Sequence, residues 1–305
     1  MITLTQIRTL DLAAAPAAGR PLHLSAASGI ACVGSFIYVV ADDELHLGVF
    51  RSGTGAPGHL IRLFDGELPD KPKARKKQKP DCEALTLLPA YNDYPYGALL
   101  ALGSGSRPNR RIGALLELDP QGAVRGLPRV LDLSPLLAPL DDALASVNIE
   151  GAVVFDDELR LFQRGNKGEG VNAVIRFALS ALLEALRTGR PGAIKPTAID
   201  PIDLGKIDGI PFGFTDAAVL PDGGMVFTAV AEDTDNAYDD GACAGAAVGI
   251  VDNAGRLRCL HRLDRPHKVE GIDARLDGDI IRLMLVTDAD DAGIPAGLYA
   301  AAMTR

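Results

Sequence analysis

Lys268-Val269-Glu270-Gly271-Ile272-Asp273 opens on charge, narrows to a glycine and continues as an apolar β-type run. A polar residue followed by a small or apolar run also opens Ser28-Gly29-Ile30-Ala31, Glu83-Ala84-Leu85-Thr86, Glu150-Gly151-Ala152-Val153 and Thr215-Asp216-Ala217-Ala218. Ser28, Glu83, Glu150, Thr215 and Glu270 stand 55, 67, 65 and 55 residues apart. From Glu270 through Arg305 and on from Met1 to Ser28 the distance is 63. Five near-equal units around a closed circle, each with one oxygen-bearing side chain at the same place, mark a repeat architecture with a site on its axis.

Each opening is followed by further short β-type runs separated by turn residues. The first unit runs Gly29–Val33, Phe36–Ala41, Leu45–Phe50 and His59–Phe64, and three of the other units also offer four runs. The fifth has only Gly271–Leu276, Ile280–Val286 and Gly297–Ala302. Ile7-Arg8-Thr9-Leu10-Asp11-Leu12 has the character of the missing fourth strand, so the N-terminus is expected to complete the last unit and close the ring. Closure removes the exposed edges of an open array. The fold class that follows is all-β: one five-bladed β-propeller over residues 1–305. Its blades lie near 28–66, 83–134, 150–205, 215–265, and 270–305 with 1–12. A six-bladed ring is the rival, because the second and third units carry long connections.

Two insertions interrupt the repeat. Lys71-Pro72-Lys73-Ala74-Arg75-Lys76-Lys77-Gln78-Lys79-Pro80 reads as a solvated basic loop. Leu179–Arg187 has helical composition and meets a plausible C-cap at Gly189. The four cysteines show no close paired spacing and read as free thiols. A net charge of −9 excludes a general nucleic-acid binder. No apolar stretch reaches the length of a membrane helix. Without a signal-type N-terminus, a cytoplasmic location is the expectation.

At the mouth of such a ring Ser28, Glu83, Glu150, Thr215 and Glu270 converge. Three carboxylates so close repel one another unless they share protons, pair with basic groups or bind a hard cation. An oxygen-only set suits Ca²⁺, and Mg²⁺ less well because it demands tighter geometry. Second strands end on the same face. They bring Asp42 and Asp43 from blade one, Arg107, Arg110 and Arg111 from blade two, Arg164 and Lys167 from blade three, and Asp288 from blade five. Arginine favours bidentate binding of carboxylate or phosphate, so a small anionic ligand bridging a central cation and these bases is expected.

The ring order Ser, Glu, Glu, hydroxyl, Glu, with Val39-Val40-Ala41-Asp42-Asp43, Phe214-Thr215-Asp216 and Lys268-Val269-Glu270-Gly271-Ile272, resembles the calcium-activated nucleotidases, the five-bladed apyrase propellers. Asp81-Cys82-Glu83-Ala84-Leu85 and Gly103-Ser104-Gly105-Ser106 also resemble bacterial phytase-like esterase propellers. The first resemblance implies calcium on the five ring residues, with Asp42 or Asp43 facing the substrate. The leading expectation is metal-assisted hydrolysis of a phosphate ester or anhydride, with Asp42 or Asp43 as base and Arg107, Arg110, Arg111 and Arg164 on the phosphoryl oxygens. The alternatives are a non-catalytic propeller whose cation is structural, and a calcium-dependent lactonase.

Overall fold

A computed structural model describes residues 1–165, 170–189, 192–233 and 243–305. Five four-stranded antiparallel sheets stand in sequence order, which decides for five blades over six. Four are consecutive meanders: Ala27–Val33 to His59–Arg62, Cys82–Leu88 to Val124–Asp132, Ile149–Phe155 to Ala198–Pro201, and Gly213–Val219 to Leu257–Arg262. The fifth holds Val269–Asp277, Ile280–Thr287 and Gly297–Thr304, and its outer strand is the N-terminal Thr5–Thr9. The expected closure is therefore present. Flanking residues extend it, since Ile2 bridges Leu263 of blade four and Leu12 bridges Gly58 of blade one.

The hydrophobic core is divided among the five seams between blades. The strand Ala98–Gly103 shows how. Its residues are all buried, with Leu99 and Ala101 facing blade one, and Ala98, Leu100 and Leu102 facing blade three. A strand buried on both faces loses polar alternation, which is why the second strands read as unbroken apolar runs. Burying a side chain the size of leucine is worth about 1.5–3 kcal/mol.

Glycine after a ring residue has a packing cause. A Cβ on Gly271 would lie 2.8 Å from the Ser28 carbonyl oxygen, and one on Gly29 would lie 3.0 Å from the Leu85 nitrogen. Near the axis the innermost strands touch backbone to backbone.

The helix Leu179–Thr188 forms as expected, ending at Gly189 with φ +62°, and seats Leu182 and Leu186 in the seam between blades two and three. The four cysteines are free. The basic insertion departs from expectation. It is no loose solvated loop: Pro72–Gln78 is helical, and Arg75 and Lys79 are buried. Arg75 donates to the Asp43 carbonyl (2.9 Å) and to Glu44 (3.0 Å), while Asn109 donates to the Lys79 carbonyl (3.0 Å) and Arg110 to the Lys76 carbonyl (3.0 Å). The insertion is a strap fastened across the mouth at blades one and two.

Among the described residues, no helix is long and apolar enough to cross a membrane.

Candidate functional site

Each ring residue is the extra residue of a β-bulge. The register between first and second strands shifts between Ala27 and Gly29, Cys82 and Ala84, Ile149 and Gly151, Phe214 and Asp216, and Val269 and Gly271. The residue skipped is Ser28, Glu83, Glu150, Thr215 or Glu270. A bulge leaves its extra residue unpaired and turns its side chain out of the pleat. Five bulges in circular register therefore aim one side chain per blade at one end of the axis.

That end holds a cavity of about 440 Å³, walled by Ser28, Glu83, Glu150 and Glu270 but not by Thr215. The Thr215 hydroxyl instead donates to the Val269 carbonyl at 2.8 Å. Residues two positions before the ring form a second tier: Ala26, Asp81, Asn148 and Lys268 also line the cavity. Alternation along a strand returns a side chain to the same face every second residue, and this signal in Asp81-x-Glu83 and Lys268-x-Glu270 could have revealed the tier. In blade four the equivalent position is Gly213, where a Cβ would meet Arg164 Cγ at 2.9 Å. The missing side chain makes room for the arginine.

Eleven carboxylates and seven basic side chains line the cavity, and they sort into two halves. Toward blades three to five the acids are neutralised internally. Arg164 reaches Glu232 at 2.8 Å and Glu150 at 3.4 Å, while Lys268 lies 3.0 Å from Glu232, 3.6 Å from Glu270 and 2.5 Å from Asp290. Glu150 also accepts from the Asn148 amide at 2.6 Å. Burial pushes the Glu150 carboxyl up to about 6 against the opposing pull of Arg164. Burial holds Glu270 well above the usual carboxylate range, and its Oε1 is buried without a hydrogen bond.

Toward blades one and two the acids crowd one ammonium. Oxygen atoms of Asp42, Asp81 and Glu83 lie within 4.8 Å of one another. Lys79, from the end of the strap, is paired to Asp42 and stands 2.9 Å from Asp81 Oδ1. Asp81 Oδ2 accepts from Ser104 and Arg110, both at 2.6 Å. Asp81 has φ +57°, a left-handed conformation that aspartate tolerates better than most residues. Burial, then repulsion from Asp81 and Glu150, holds Glu83 well above the ordinary range. Burial raises Asp42 to about 6, with Lys79 pulling the other way. Burial and neighbouring Asp42 raise Asp288 well above the ordinary range. Burial draws Lys79 downward, but Asp42, Asp81 and Glu83 together carry it well above the usual lysine value.

The remaining sequence candidates are placed unevenly. Asp43 reaches the cavity, yet its carboxylate is held by Arg20 at 3.1 Å and Arg75 at 3.3 Å. Arg110 lines the cavity with its guanidinium spent on Asp81, Ser106 and the Lys76 carbonyl. Arg111 turns to Asp141 at 2.5 Å, and neither it nor Arg107 lines the cavity. Lys167 falls outside the described residues. Asp81, Lys79 and Lys268 were missed. So was Asp216, a buried carboxylate deeper on the axis. It accepts from Ala217 N at 2.7 Å and Ile272 N at 2.9 Å, and also from the Ile30 amide. It thereby ties blades four, five and one together.

Solved structures similar to this chain include a luciferin-regenerating enzyme, at 8% identity over 92% of both chains with a TM-score of 0.48. A β-fructofuranosidase of Bombyx mori is 12% identical, covering 92% of this chain and 60% of that one, with a TM-score of 0.46. The tail fibre of Staphylococcus aureus phage P68 is 8% identical, over 99% of this chain and 53% of that one, at 0.46. The chain thus spans little more than half the length of the last two, and none of these likenesses carries an argument about function. A search of curated proteins returns no match. Residues 23–303 match one protein family, and on that match the chain belongs to DUF6929, a family of unknown function.

Proposed function

We propose that the mouth binds one divalent cation of the calcium class on the side of blades one and two, and that the loaded pocket hydrolyses a small ester. The carrying observation is the cluster of Asp42, Asp81 and Glu83 oxygens within 4.8 Å of one another on the cavity wall. The donor set is all oxygen, which suits Ca²⁺ and, with stricter geometry, Mg²⁺. A cation already sits among these acids in the form of the Lys79 ammonium, so the residues fit such a group. Asp42, Asp81 and Glu83 would hold the ion, with the Ser28 hydroxyl from the neighbouring bulge completing the protein donors. When bound, the ion would supply Lewis-acid polarisation of an ester oxygen.

The chain's own groups account for the rest. Asp288, whose carboxyl burial and neighbouring Asp42 raise above the ordinary range, lines the cavity and would serve as proton donor to a leaving-group oxygen. Arg164 and Lys268 fix Glu150, Glu232 and Glu270 and keep that wall rigid. One observation favours a lactone or carboxylic ester over the phosphate ester or anhydride expected from the sequence. Arg110 and Arg164 give their guanidinium groups to protein carboxylates, and Arg111 turns away from the cavity. A polyanion would meet a wall with more acids than bases. The resemblance of the ring to calcium-dependent propellers supports the metal, and this charge balance selects the substrate.

The test is a panel of lactones, carboxylic esters, phosphate monoesters and nucleotides, assayed with calcium and with chelator. Chelator-sensitive turnover confined to lactones or carboxylic esters is expected. An inactive protein that nevertheless binds calcium would leave a structural cation and overturn the hydrolase reading.

A further inference from the structure

The strap 71–79 ends in a buried ammonium placed where a divalent cation would need to sit. Lys79 bridges Asp42 and Asp81 Oδ1, its side chain only 9% exposed. The remaining oxygen of Asp81 is already taken by Ser104 and Arg110. Any metal that uses Asp81 must therefore take Oδ1 from Lys79. Glu83 faces the same single ammonium as Asp42 and Asp81, and across the cavity the buried Oε1 of Glu270 lacks a hydrogen bond, with the Lys268 ammonium 3.6 Å away. The pocket thus retains acceptor capacity that one ammonium does not fill.

From this we infer that Lys79 is a tethered competitor for the cation site. Metal entry expels its ammonium and loosens the strap from the mouth, and loss of the metal lets the strap return. The inference rests on the cation site proposed above. It makes the affinity of that site a property of residue 79 and couples occupancy to access. Two features support the coupling. Lys79 immediately follows the helix Pro72–Gln78, and its amide donates to the Arg75 carbonyl at 2.8 Å, so a shift of Lys79 pulls on the helix. The strap's other fastenings, from Arg75 to Asp43 and Glu44 and from Asn109 and Arg110 to its carbonyls, are polar, and residues 71–79 take no part in the apolar seams between blades. No wide apolar seam holds it, which places it at the low-stability end of the fold.

Competition fixes the sign. Replacing Lys79 by methionine keeps the stem and deletes the charge, so the acids are left to the metal. The experiment is calcium titration by calorimetry on chelator-treated wild type and Lys79→Met, paired with limited trypsin digestion of both with and without calcium. The strap is rich in lysine and arginine, so trypsin reports its release directly. We expect Lys79→Met to bind calcium about tenfold more tightly or better. Wild-type strap cleavage should rise several-fold on adding calcium, and cleavage of the variant should already be fast without it. Equal affinities, or calcium-insensitive strap cleavage in wild type, would overturn the competition while leaving the cation site standing. Absence of calcium binding in both proteins would remove the site itself and the inference with it. The wild-type digestion needs no variant, so poor folding of Lys79→Met cannot hide the answer.

Discussion

The two halves of the mouth solve the same electrostatic problem in opposite ways. Blades three to five bring Glu150, Glu232 and Glu270 together and answer them with Arg164 and Lys268, both anchored in the ring. Blades one and two bring oxygens of Asp42, Asp81 and Glu83 within 4.8 Å of one another and answer them with Lys79, borrowed from an insertion. A cation held right beside the blade strands, as Arg164 is after Glu158–Gln163 and Lys268 before Val269–Asp277, stays with the ring; one carried on a strap can leave. The difference teaches that a ring of carboxylates is not by itself a metal site. What matters is whether its compensating charge is fixed or exchangeable.

The largest effect should come from the fixed half. Arg164→Met leaves Glu150 and Glu232 buried without their main partner, and loss of one member of a buried pair costs about 3–5 kcal/mol. Denaturant unfolding should show a loss of that order. A loss below about 1 kcal/mol would mean the half is hydrated rather than internally paired.

Next in size is the response to calcium. At a calcium concentration one hundred times its dissociation constant, wild type should gain about 2.7 kcal/mol of stability. Glu83→Gln should lose this gain and Glu270→Gln should keep it, a pair of thermal melts that breaks the comparison if the outcomes reverse.

Proton linkage sharpens the fixed half further. Glu150 is raised to about 6 in the folded protein, above the usual glutamate value of about 4.3. An acid raised on folding favours the folded state while protonated, so its contribution is present at pH 4 and lost as pH rises through 6. Glu150→Gln cannot ionise and escapes that loss. Its stability relative to wild type should therefore improve by about 1–2 kcal/mol between pH 4.5 and pH 7, read from unfolding curves at a series of pH values. A flat difference would mean that Arg164 already holds Glu150 ionised.

The smallest effect concerns Ser28, whose hydroxyl makes only a long 3.3 Å bond to the Ala26 carbonyl. Ser28→Ala should weaken calcium by a few-fold with stability within about 0.5 kcal/mol of wild type.

Much of this was legible in the sequence, for reasons that differ by residue. The five openings were readable because a bulge at the same point of each blade repeats one oxygen-bearing side chain, and because Gly29, Gly151 and Gly271 record where backbones meet. Closure was readable from the strand the fifth blade lacks. The boundaries were less so: the outer strand of the last blade runs Thr5–Thr9, ahead of the expected Ile7–Leu12, because an exposed outer strand has no core to impose a pattern.

The site was half legible. Glu83, Glu150 and Glu270 announce themselves by register, whereas the partner of each is set by tertiary contacts of long sequence separation. Arg164 meets Glu232 68 residues away, across the room left by Gly213. Lys79 was hidden by its company, since a run of lysines between prolines has the composition of a solvated loop. Only the fold shows that one of them turns inward. Thr215 shares the register of the other ring residues but stands apart from the cavity, because its hydroxyl has the Val269 carbonyl within reach and donates to it.

The chemistry of the mouth turns on whether its half at blades one and two exchanges its cation. Calorimetric titration of calcium into chelator-treated wild type, Glu83→Gln and Glu270→Gln tests this most directly. One site in wild type, retained in Glu270→Gln and lost in Glu83→Gln, is the expected result. Binding that survives Glu83→Gln but disappears in Glu270→Gln, or no binding in wild type, would contradict it.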